Sequence, residues 1–92
     1  MKWAELITAR STDSSVKTLK PALQELMSDV IRKYGPKRIQ IYHRERIETD
    51  FCIILSHEGG TVLDHGSRLG LRIAASLKAF GLVNHSVWIE MK

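Results

Sequence analysis

Five consecutive apolar residues, Phe51-Cys52-Ile53-Ile54-Leu55, constrain this chain more than any other feature. The run is far shorter than the roughly 20 apolar residues of a membrane-crossing helix. Its odd and even positions are both apolar, which marks a strand inside a sheet with cover on both faces. Helices in a chain of 92 residues suffice for one face. A second subunit is therefore expected on the other, and a homodimer is the leading quaternary expectation.

The sequence on either side supplies two helices and two more strands. Leu19, Leu23, Leu26, Met27, Val30, Ile31 and Tyr34 recur at three and four, one wide helical stripe. Pro21 fits if the regular helix begins near Thr18, because a missing donor is harmless in the first turn. The polar break Ser11-Thr12-Asp13-Ser14-Ser15 can cap that helix, and Gly35-Pro36 ends it. Ile39 and Ile41 then alternate with Arg38, Gln40 and Tyr42 as a strand with one apolar face. After the loop Glu58-Gly59-Gly60, Thr61 is the expected cap of a second helix that carries Asp64-His65. Its buried stripe is Leu69, Ile73, Leu77 and Phe80, with Gly66, Gly70 and Ala74 as a second stripe of small residues that permits close packing. Gly81 closes it. Val87, Ile89 and Met91 alternate with Ser86, Trp88 and Glu90 in a last strand, parallel to the strand at 51–55 and joined to it by a right-handed crossover if the two share a sheet.

The fold class is thus α+β, a small two-layer sandwich of order α-β-β-α-β, ferredoxin-like. It becomes a full β-α-β-β-α-β if residues 2–9 pair as a leading strand. Trp3, Leu6 and Ile7 suit one helical face or an irregular strand equally. One domain spans 1–92, with 1–15 as an N-terminal arm or edge strand plus polar break and 16–92 as the core.

Cys52 is the single cysteine, so no disulfide forms within the chain, and a reducing cytoplasmic setting is the default. The first residues lack the apolar core of a signal peptide, and no membrane insertion is expected. The formal charge is +4 and the pI near 9.5. Arg32, Lys33, Lys37, Arg38, Arg44 and Arg46 crowd around the first strand of the core, with Glu45 the one acid among them. That field suits an anionic partner, whether nucleic acid, acidic lipid or protein. It equally suits a solvated strand edge that basic side chains keep from pairing.

Catalytic frames are missing. No Gly-x-Ser-x-Gly elbow places a serine, Asp50, Glu58 and Asp64 read as edge, loop and cap residues, and a buried Cys52 stays a protonated thiol. No catalytic residue is expected. A metal such as zinc needs three or four converging ligands. His43, His57, His65, His85, Cys52, Asp50 and Asp64 are available but scattered, without a compact pair. Each histidine also has a structural reading: His43 on a strand face, His57 and His85 at strand ends, His65 in the first turn of a helix.

Asp50 before an apolar strand, Thr61-Val62-Leu63-Asp64-His65 at the start of the second helix and Val87-Trp88-Ile89-Glu90 in the last strand resemble one family. It is the cytoplasmic metal-sensing domain of cation diffusion facilitator transporters, and the similarity runs over residues 23–91. The resemblance implies a ferredoxin-like homodimer, a regulatory or binding module that responds to zinc or a related divalent cation. His65 falls on the family's helical histidine and is the one metal ligand that carries over. Trp88 stands at the last-strand histidine position, and Lys37 near the histidine that precedes the first strand. A second resemblance, to the BolA-like proteins, shares the strand order and a helix-borne histidine.

Overall fold

The computed structural model describes residues 2–12 and 16–91. Six elements follow one another: β1 (Lys2–Ser11), α1 (Val16–Tyr34), β2 (Ile39–Arg44), β3 (Ile47–Glu58), α2 (Arg68–Leu77) and β4 (Gly81–Ile89). The strands form one antiparallel sheet in the order β2-β3-β1-β4. The molecule is a small α+β fold of order β-α-β-β-α-β, the arrangement of the split βαβ motif. The order α-β-β-α-β therefore needs correction, because the N-terminal segment joins the sheet.

Residues 2–11 are an interior strand and not an arm or edge strand. β1 sits between β3 and β4 and pairs with both along most of its length, from Lys2↔Glu58 to Arg10↔Asp50 on one side and from Trp3↔Ile89 to Ser11↔Gly81 on the other. Trp3, Glu5, Ile7, Ala9 and Ser11 are its buried parity. Leu6 lies on the opposite parity, which is why the spacing of Trp3, Leu6 and Ile7 did not resolve the segment. β3 is an interior strand, as its doubly apolar run implies. β4 pairs with β1 rather than β3. Both are antiparallel to β1 and hence parallel to each other.

Both helices cover one sheet face. Ile7, Ala9, Ile39, Phe51, Ile53 and Leu55 from the strands meet Leu19, Leu23 and Val30 of α1 and Ile73, Ala74 and Leu77 of α2. α1 starts at Val16, earlier than Thr18, with Pro21 inside it; residues 13–15 of the polar break expected to cap it lie outside the described residues. Pro21 and Lys17, one turn apart, are both exposed, so the ring sits on the side of α1 away from the core. Gly35, at φ 97°, donates its amide to Ile31 O at 2.8 Å and ends α1 in the left-handed conformation that glycine tolerates.

The second helix starts later than its sequence suggests. Gly66 has φ 94°, a conformation that interrupts any helix running from Thr61, so Ser67 is the cap. Asp64 and His65 occupy an exposed turn closed by Gly66 N donating to Leu63 O at 3.0 Å. At the other end α2 stops at Leu77, and Gly81 opens β4 instead of closing the helix. A side chain at Gly81 would collide with the Arg10 carbonyl across the β1–β4 ladder.

Among the described residues no helix lies on the outer sheet face. Leu6, Cys52 and Ile54 are half-buried there, while Leu82, Trp88 and Tyr42 are 76%, 60% and 53% exposed. At one corner Asp50 accepts from Arg10 at 3.2 Å and from Arg44 at 3.4 Å, clasping β1 and β2 to β3. Among the described residues no helix is long and apolar enough to cross a membrane.

Candidate functional site

The inward parity of three strands carries one ionisable residue each: Glu5 in β1, His57 in β3 and His85 in β4. In register His57 faces Trp3 and His85 faces Ile7. The two imidazoles thus lie diagonally on either side of Glu5, within reach of long side chains. Glu5 is fully buried, at 0% exposure.

Each carboxylate oxygen of Glu5 has two donors. Oε1 accepts from His85 Nε2 and from the Ser67 amide, both at 2.8 Å. Oε2 accepts from His57 Nε2 at 2.7 Å and from Ser67 Oγ at 2.5 Å. An ionised carboxylate only accepts, so both histidines present Nε2–H to it and Nδ1 is the remaining ring nitrogen. Ser67 Oγ in turn accepts from Gly70 N at 3.0 Å. The carboxylate, the cap and the first turn of α2 form one chain of bonds, and the negative charge sits at the positive end of the helix.

Burial pushes the Glu5 carboxyl up, but the hydrogen bonds from Ser67, His57 and His85 outweigh it and hold the group below the usual glutamate range. Gly66 and Gly70 press directly on this group. A side chain at Gly70 would run into the Glu5 carboxylate, and one at Gly66 into Glu5 and the His85 ring. The stripe of small residues therefore makes room for a buried charge as well as for close packing.

Trp3 completes the arrangement. Its ring stacks on His57 with centroids 3.9 Å apart, and its Nε1 donates to Gly59 O at 3.1 Å. Two inward residues of β1, Trp3 and Glu5, thereby tie down both ends of the loop 59–67.

The residues singled out from sequence lie elsewhere. His65 is at the exposed tip of that loop, and among the described residues no group of three or more His, Cys, Asp or Glu side chains has a geometry suited to a metal ion. His85 is in the interior of β4 rather than at a strand end, and His43 is exposed beside the irregularity in β2. The six basic residues divide between the two ends of β2, about 20 Å apart at the rise of a strand. Arg32, Lys33, Lys37 and Arg38 gather at the end of α1, where Lys33 and Arg38 lie 5.4 and 5.7 Å from the Tyr34 ring. Arg44 and Arg46 are at the hairpin tip, paired with Asp50 and Glu45.

Glu5 was the residue that sequence reasoning missed. Its signal was an acid on the same parity as Trp3, Ile7 and Ala9, legible once the segment is known to be a strand.

No protein-family model matches the chain, and no curated protein matches it. Among solved structures it is similar to that of Rv0793 from Mycobacterium tuberculosis, at 14% identity and a TM-score of 0.72, over 100% of this chain and 97% of that one. At that identity the likeness carries the fold and no activity.

Proposed function

We propose that this chain is a non-catalytic regulatory or binding module that works as a homodimer joined through the outer faces of its sheets. The observation that carries the reading is the uncovered face itself, with Leu82, Trp88 and Tyr42 exposed around half-buried Leu6, Cys52 and Ile54. Large apolar side chains gathered on one flat face mark an interaction surface. The area at stake is modest: each sheet of this size would bury about 600 Å² against a facing copy, from strand spacing and rise, so the pair would bury about 1,200 Å², at the lower edge of stable interfaces.

The non-catalytic part of the reading rests on the saturation of Glu5. All four acceptor positions of its carboxylate are taken, which leaves none for a substrate proton. The metal-responsive role implied by the transporter-domain resemblance falls on His65 alone in this chain.

Sedimentation tests the assembly. The wild type is expected as a dimer at micromolar concentration and Trp88→Glu as a folded monomer; a monomeric wild type at high micromolar concentration overturns the reading. Zinc titration followed on the His65 resonances tests the metal-responsive role separately, and an undisturbed His65 at stoichiometric metal removes it.

A further inference from the structure

We infer that Glu5, His57 and His85 form a proton-operated latch that holds the loop 59–67 and the first turn of α2 against the sheet. The latch is a geometric fact before it is an electrostatic one. A single carboxylate receives one imidazole from each neighbouring strand and two donors from Ser67, and Trp3 fixes the far end of the same loop at Gly59. Among the described residues nothing else bonded to the carboxylate carries charge. β3 contributes His57, β4 contributes His85 and α2 contributes the uncharged Ser67, while α1 and β2 place no charged side chain in hydrogen-bond contact with the cluster among the described residues.

Charge counting gives the behaviour. With both imidazoles neutral the cluster carries one negative charge, offset by the start of α2. A proton taken from solvent at Nδ1 of either ring makes an imidazolium–carboxylate pair, neutral overall and more tightly bonded. A proton on the second ring leaves two imidazoliums on one carboxylate, a net positive charge with no counter-ion, beside the positive end of a helix. The cheapest relief is to move the part that is least anchored. The strands are held by continuous ladders, whereas the loop end of α2 is held by Ser67 alone at this point. Acid therefore frees the loop that displays Asp64 and His65, and the sheet stays intact. The two protons leave and return as a coupled pair.

A histidine-resolved NMR titration between pH 8 and 4 with amide exchange of residues 59–70 tests the latch on the whole chain. Because both rings share the Glu5 carboxylate, the resonances of His57 and His85 are expected to change in two separated, mutually dependent steps. Exchange at Ser67 and Gly70 should rise about tenfold or more across the second step, with β1 and β3 amides unchanged. His85→Asn should abolish the second step and its exchange change while His57 still titrates. Independent single steps for His57 and His85, or a second step without faster exchange at Ser67 and Gly70, overturn the inference. So does faster exchange in His85→Asn over the same pH range.

Discussion

Glu5 and Ser67 stand 62 positions apart and meet at 2.5 Å through the Ser67 hydroxyl, with the Ser67 amide closing a second bond at 2.8 Å. That pairing makes the capping of α2 depend on a residue of β1. A local signal, the start of a helix, is thereby set by a non-local contact.

Removing the carboxylate should be costly. Glu5→Ala leaves two imidazoles and the Ser67 amide without their shared acceptor, and with buried unsatisfied donors costing about 1–3 kcal/mol each, the expected loss is about 3–5 kcal/mol. Glu5→Gln keeps an oxygen acceptor and should lose less, about 1–3 kcal/mol. Urea denaturation at pH 7 measures both, and equal losses would show that shape rather than charge matters.

Gly70→Ala separates packing from helix propensity. Alanine favours the helix by about 1 kcal/mol over glycine, yet its Cβ would collide with the Glu5 carboxylate. A net destabilisation of about 1–3 kcal/mol is expected from overpacking. Ala74→Gly, one turn further along α2, should follow ordinary propensity and cavity costs. A stabilised Gly70→Ala would contradict the close approach.

Acid stability has a definite sign. Glu5 and Asp50 are both held below their ordinary values, the latter by the Arg10 hydrogen bond first and Arg44 second. A depressed carboxyl stabilises the fold above its unfolded pKa, about 4, and loses that contribution as pH falls through the lower folded value. Unfolding free energy should therefore be steady from pH 7 to about 5 on this account and fall below about 4, with a shallower fall in Glu5→Gln. Denaturation series at fixed ionic strength check it.

Cys52 reports on the outer face. Burial pushes its thiol up, which slows alkylation near neutral pH, and pairing of sheets would slow it further. Iodoacetamide should react more slowly with the wild type than with Trp88→Glu. The melting temperature of the wild type, but not of that variant, should rise with protein concentration.

Much of the scaffold was legible in the sequence because its causes are local. The repeat of Leu19, Leu23 and Val30 requires a helix wherever it lies. Ile39 and Ile41 alternate as a strand must, and the run at 51–55 is an interior strand because neither parity tolerates water. Gly35-Pro36 stops α1 through backbone geometry alone. Five elements, α1, β2, β3, α2 and β4, and their order followed from such signals.

The remainder was decided in three dimensions. Residues 2–11 became the strand between β3 and β4 only because partners some 40 to 80 positions away offered open edges, and a strand has no internal bonds to declare it in advance. The start of α2 moved from Thr61 to Ser67 because Gly66 turns left-handed beside Glu5. The meeting of Glu5 with His57 and His85 depends on register across three strands. Sequence determined the local conformations, which short-range periodicity and backbone sterics dictate; tertiary structure determined the site, because hydrogen bonds between distant strands have no period to read.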